Sequence, residues 1–125
     1  MLVITRAKRR SMPCLYISTN VCLEGIDTAP IFSEATKAVV SLTGKPENYV
    51  MVLLKGSVDV SLAGTKEPAA YGEIVSMGGI NTHVKRQLIA SISSILQTYL
   101  SVPRTRFFLK VHDLNVGRNV VTPKL

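Results

Sequence analysis

The sequence predicts an α/β (α+β) fold: two β-α-β repeats that make a four-stranded mixed sheet with two helices on one face. Three observations predict it. Four short segments carry strand patterns and two longer ones carry apolar residues at helical spacing. The two halves of the chain run through these patterns in the same order. Gly44-Lys45-Pro46 ahead of one strand is answered by Val102-Pro103 ahead of another. Right-handed crossovers then put both helices on the same side of the sheet.

The first strand is PCLYISTNV, where Leu15, Ile17 and Thr19 alternate with Cys14, Tyr16 and Ser18. DTAPIFSEATKAVVSLTGK switches to helical spacing. Ile31, Ala35, Ala38 and Leu42 form a stripe that Phe32 and Val39 widen. Thr28 and Pro30 are start signals and Gly44 is a stop signal. YVMVLLKG is a continuous apolar run, the pattern of a strand covered on both faces. The second half opens with the strand AAYGEIVSM. Asn81 is the expected N-cap of a longer helix whose stripe is Val84, Leu88, Ile92, Ile95, Leu96 and Tyr99. TRFFLKVHD is the answering strand. Pro46 and Pro103 each follow a helix and open a strand, where a missing N–H costs little.

Two helices cover only one face of such a sheet, and the strands are apolar on both. In a chain of 125 residues, 46% hydrophobic and 18% charged, other subunits are the natural cover for the second face. SVDVSLAG fits this: Val58, Val60 and Leu62 alternate with Asp59 and Ser61, as in an edge strand that a neighbour can extend. A surface hairpin after Gly56 fits the same residues equally well.

The net charge of +7 is concentrated at one end. Arg6, Lys8, Arg9 and Arg10 are unopposed by acids, and the remaining eleven bases face eight acids. A nucleic-acid partner is therefore not expected. Residues 1–12 are read as a basic N-terminal extension expected to be disordered, upstream of a domain spanning 13–125. No apolar run reaches membrane-spanning length, so no membrane partner is expected. Cys14 and Cys22, on one extended segment, would lie about 26 Å apart. That is too far for a disulfide, so both are read as reduced thiols in a reducing compartment. His83 and His112 lack metal-ligand spacing, and Gly78-Gly79 lacks a phosphate-loop lysine pattern, so no cofactor is expected.

Met12-Pro13 poses a chemical alternative. If the chain started at Met12 and lost that residue, Pro13 would carry a free secondary amine. In the chain as written, its nitrogen lies in a peptide bond.

MPCLYISTNV, TGKPENYVMV, EPAAYGEIVSMGG and RFFLKVHD together resemble the macrophage migration inhibitory factor / D-dopachrome tautomerase family, the plant-type members most of all. The resemblance runs from Met12 to about Asn115. It implies a homotrimer whose three sheets close around a channel, with pockets between subunits. It implies keto-enol tautomerisation of phenylpyruvate-like 2-keto acids, with the N-terminal proline, here Pro13, as general base. Such a base must be largely unprotonated at neutral pH. An α-amino group ionises at about 7.7–8.0, and partial burial with a nearby cation lowers that value. The resemblance gives Lys45 the part of the cation beside the proline that also meets the substrate carboxylate. Without the resemblance, Lys45 reads as a cation complementing a helix C-terminus. Met77 matches the residue whose backbone N–H meets the same carboxylate, and otherwise reads as a strand-end core methionine.

The departures from the family pattern are informative. Phe108 and Lys110 stand where animal members carry a tyrosine and an asparagine that reach the neighbouring pocket. Phe108 keeps the aromatic wall and loses the hydroxyl; Lys110 adds a cation. AAYG, Ala69 to Gly72, replaces the animal Cys-x-x-Cys, which excludes thiol-disulfide chemistry through that motif. The aromatic C-terminal tail is replaced by VGRNVVTPKL. The expected activity is therefore weak or altered. The alternative function is a cytokine-like binding or signalling protein with a vestigial pocket. Pro123-Lys124-Leu125 is similar to a peroxisomal address, which an import receptor would read at Leu125. Peroxisome and cytoplasm are the expected locations.

Overall fold

The computed structural model describes residues 12–114. Most of the basic extension and the tail with Leu125 lie outside the described residues. The order is β1 (Cys14–Thr19), α1 (Ala29–Thr43), β2 (Met51–Lys55), β3 (Ala70–Ser76), α2 (Thr82–Leu100) and β4 (Phe107–Asp113). The sheet order is β2-β1-β3-β4. β1 pairs parallel with β2, β3 pairs parallel with β4, and the two repeats meet at the antiparallel β1–β3 pair. Both expected β-α-β units are present.

The core lies between the helices and one face of the sheet. Leu15 and Ile17 of β1, Ile74 of β3 and Phe107 of β4 meet Ile31, Ala35 and Val39 of α1 and Leu88, Ile92 and Leu96 of α2. The α1 stripe rotates slightly from the expected one. Ile31, Ala35, Val39 and Thr43 are buried, while Ala38 and Leu42 pack at its margin. Thr43 tolerates burial because its hydroxyl donates to the Val39 carbonyl at 2.6 Å.

Helix ends follow local chemistry. Asn81 caps α2, its side-chain oxygen accepting from the Val84 N–H at 2.8 Å. Gly44 ends α1 in the left-handed conformation, φ 75°. Thr28 takes the N-cap position of α1, as expected of a start signal, but makes no side-chain bond; the Asp27 carboxylate accepts from the Ala29 N–H at 3.1 Å. One expectation needs correction. Pro46 and Pro103 do not open strands directly. Each precedes a one-turn 3₁₀ helix, Glu47–Tyr49 and Arg104–Arg106, so the repeat extends even to these turns.

The segment around Val58 to Leu62 forms no strand of this sheet. Val58 and Ser57 hydrogen-bond back to Thr19 and Val21, and a single bridge joins Leu62 to Thr65. Arg106 holds the following loop. Its guanidinium donates to the carbonyls of Leu62, Thr65, Glu67 and Pro68 at 3.0–3.2 Å. Five donors in a planar fork suit four converging carbonyls. Asn20, the residue after β1, secures the same loop, donating to the carbonyls of Lys66 and Glu67.

The second sheet face is open within one chain. Met51, Leu53, Tyr71 and Phe108 project from it, with Phe108 59% exposed. The continuous apolar run of β2 thus has one face on the helices and one awaiting cover. Among the described residues no helix is long and apolar enough to cross a membrane.

Candidate functional site

Topology gathers the N-terminus of β1, the C-terminus of α1 and the C-terminus of β3 at one end of the sheet. A helix that returns from β1 to a parallel β2 must end where both strands begin. β3, antiparallel to β1, ends there too.

Pro13 lies at that end, fully buried. Its carbonyl accepts from the Met51 N–H at 3.0 Å, which sets the β1–β2 register. Cys14 pairs with Val75, so the antiparallel register extended by one residue sets Pro13 against Ser76. Lys45, half-buried just past the α1 C-cap, donates from Nζ to the Met77 carbonyl at 2.9 Å. One of three ammonium donors is thereby used, leaving two for a bound anion. Lys45 and Met77, 32 residues apart in sequence, are thus joined directly, at the end of the sheet where Pro13 enters it.

The turn after β3 has an unusual backbone. Gly78 and Gly79 have φ 81° and 82°. A Cβ on Gly79 would come within 2.6 Å of the Thr43 carbonyl oxygen, whereas one on Gly78 would meet open space. The C-terminus of α1 therefore packs directly on this turn, which keeps Lys45 beside Met77.

Phe108 and Lys110 are elsewhere. They project from β4 on the open face, in register with Tyr71 and Glu73. Strand spacing and rise put Phe108 roughly 19 Å, and Lys110 roughly 14 Å, from the Pro13 of the same chain. Neither side chain spans that distance. Both line a depression of about 470 Å³ along the β4 edge, with Ile89 and Leu109. Glu73 is held by the Tyr71 hydroxyl, which donates to it at 2.9 Å; this bond raises the Tyr71 hydroxyl pKa.

Sequence reasoning gave no site role to three residues at this end of the sheet. Cys14 points to the open face beside Met51 and Val75, and burial raises its thiol pKa; it and Cys22 are free thiols. Ser76 is buried and donates to the Gly78 carbonyl at 2.9 Å. Asp113, at the end of β4, accepts from the Gly78 N–H at 2.8 Å. The only signal for this last pair was Gly78-Gly79, read simply as a turn into a helix.

Fold and site define an α/β protein of paired β-α-β units, with a lysine-braced turn where its first strand begins. Residues 12–122 match the family model described as macrophage migration inhibitory factor, and the chain belongs to that family. It is 32% identical over 111 residues to a macrophage migration inhibitory factor homolog of Trichuris trichiura, covering 86% of this chain and 96% of that one. It is 28% identical over 106 residues to the macrophage migration inhibitory factor of Xenopus laevis, covering 85% and 91%. Among solved structures, the homologue from Prochlorococcus marinus superposes with a TM-score of 0.77 at 25% identity, covering 85% of this chain and 95% of that one. The protein from Trichinella spiralis gives 0.76 at 28% identity, covering 87% and 95%.

Proposed function

We propose that the chain is a keto-enol tautomerase for phenylpyruvate-like 2-keto acids, acting as a homotrimer with Pro13 as general base once Pro13 is the N-terminal residue. The observation that carries this reading is the Lys45–Met77 bond at the sheet end where Pro13 enters β1. The Lys45 ammonium and the Met77 N–H receive the substrate carboxylate. The secondary amine of Pro13 takes a proton from C3, the C–H electron pair becomes the C2–C3 double bond, and the carbonyl oxygen is protonated. The return path reverses each step, and no oxidant or cofactor is consumed. A buried amine close to a cation disfavours its own protonation, which suits a base at neutral pH.

The trimer supplies what one chain lacks. The exposed face carrying Met51, Leu53 and Tyr71 supports burial against other copies. In such a trimer Phe108 and Lys110, out of reach of the Pro13 of their own chain, serve the Pro13 of a neighbour. The plant-type reading within the family rests on the four sequence blocks, and the replacements at Phe108 and Lys110 favour an altered activity. A second reading, a cytokine-like binding protein with a vestigial pocket, draws on the same two replacements.

The test compares phenylpyruvate turnover by protein beginning at Pro13, by the full chain, and by the Pro13→Gly variant of the short form. Turnover is expected only from the Pro13 start. Equal rates for proline and glycine would exclude Pro13 as base.

A further inference from the structure

Two consecutive peptide planes at Met77 are each held from behind by the end of β4. The Ser76–Met77 plane carries the Ser76 carbonyl at one edge, which accepts from the Leu114 N–H at 2.7 Å. Its other edge carries the Met77 N–H. The next plane carries the Met77 carbonyl, which accepts from Lys45 Nζ at 2.9 Å. Its other edge carries the Gly78 N–H, which donates to Asp113 Oδ1 at 2.8 Å. A peptide unit is rigid and planar, so fixing one edge fixes the other. The anion on the N–H and the cation on the C=O also polarise the same unit, and each bond strengthens the other.

We propose that Asp113 is a positioning residue for carboxylate binding: it acts through the Met77–Gly78 peptide to set the Lys45 ammonium. Gly78, at φ 81°, has wide backbone freedom in isolation. Without a partner on its N–H, the plane is free to tilt and carry the Met77 carbonyl away from Lys45. Ser76 supports the same arrangement from inside, its buried hydroxyl holding the Gly78 carbonyl at 2.9 Å. Leu114 holds the first plane through its backbone alone. Asp113 is therefore the one side chain of β4 in this brace, and it lies 68 positions from the lysine it positions.

This inference rests on the reading that Lys45 and Met77 receive the substrate carboxylate. The experiment uses assembled protein beginning at Pro13, with Asp113→Ala and Asp113→Asn. Asparagine keeps an oxygen acceptor at the same place. Asp113→Ala is expected to raise KM for phenylpyruvate about fivefold, the loss of one exposed hydrogen bond, with kcat within about twofold. Asp113→Asn is expected to restore KM to within about twofold. A purely structural role would instead lower the active fraction, and so kcat, at constant KM. An unchanged KM in Asp113→Ala, a fall in kcat alone, or an asparagine variant as impaired as alanine each overturns the proposal. Amide exchange at Gly78 gives a readout independent of turnover. Faster exchange in Asp113→Ala supports the brace even if the parent protein proves inactive, and unchanged exchange refutes it. Failure of the parent to turn over would count against the proposed function alone.

Discussion

Lys45 and Met77 are joined by one hydrogen bond of 2.9 Å from the Lys45 ammonium to the Met77 carbonyl oxygen. This bond fixes a mobile, four-carbon side chain at the end of the sheet where the first strand begins. The cation is half-buried, so water competes with it less than on the open surface.

Replacing Lys45 with Met keeps the stem and removes the charge. In protein beginning at Pro13, KM for phenylpyruvate is expected to rise about ten- to a hundredfold, the worth of a charge-assisted bond to a carboxylate. Stability should change by less than about 1 kcal/mol, because water can reach the released Met77 carbonyl. Steady-state kinetics and urea unfolding measure the two effects. An unchanged KM would remove Lys45 from the site.

Arg106 holds four carbonyls of the loop before β3. Arg106→Ala is expected to lower unfolding free energy by about 2 kcal/mol, and Arg106→Lys to recover less than half of it. A lysine offers a point charge, not a planar fork. Urea unfolding must be run at one protein concentration, since assembly contributes to stability. Limited proteolysis should also cut the loop of the alanine variant faster.

Gly78 and Gly79 share a left-handed backbone and differ in surroundings. Gly78→Ala has strain but space and is expected to cost about 1 kcal/mol. Gly79→Ala adds a 2.6 Å overlap with the Thr43 carbonyl oxygen. It is expected to cost about 3 kcal/mol and to weaken 2-keto acid binding by moving the end of α1, and Lys45 with it, away from Met77. Equal costs at the two positions would show that the α1 contact is unimportant.

Burial raises the Cys14 thiol above its ordinary pKa of 9.0. The folded chain holds this proton more tightly than the unfolded chain, so the unfolded state ionises first. The stabilising contribution is present below pH 9 and is lost as pH rises through the raised value. Unfolding midpoints of the parent between pH 8 and pH 10.5 should fall more steeply than those of Cys14→Ser. Parallel curves would mean that the thiol is not shielded.

Much of the fold was legible because the repeat is written locally. Asn81 caps α2 and Gly44 ends α1 by interactions spanning only a few residues, and such signals survive in any tertiary setting. Alternating Leu15 and Ile17, and the helical recurrence of Leu88, Ile92 and Leu96, sorted core from surface. The edge-strand reading of Val58 to Leu62 was not decidable locally. Its alternation describes an extended segment, and a strand also needs a partner, which this sheet does not supply. Thr28 takes the cap position, but its neighbour Asp27 supplies the side-chain bond to the free N–H.

The candidate site divides in the same way. By itself the sequence determined the two β-α-β units, their helix ends and the family to which Pro13, Lys45, Met77, Phe108 and Lys110 belong. Only the tertiary structure decided that Lys45 meets Met77 while Phe108 and Lys110 lie far across the sheet from the same Pro13. It also decided that Asp113 stands behind the turn. These are relationships among segments 32 to 97 positions apart. They arise where parallel and antiparallel strands end together, and hydrogen-bond geometry between such ends leaves no periodic trace in the chain.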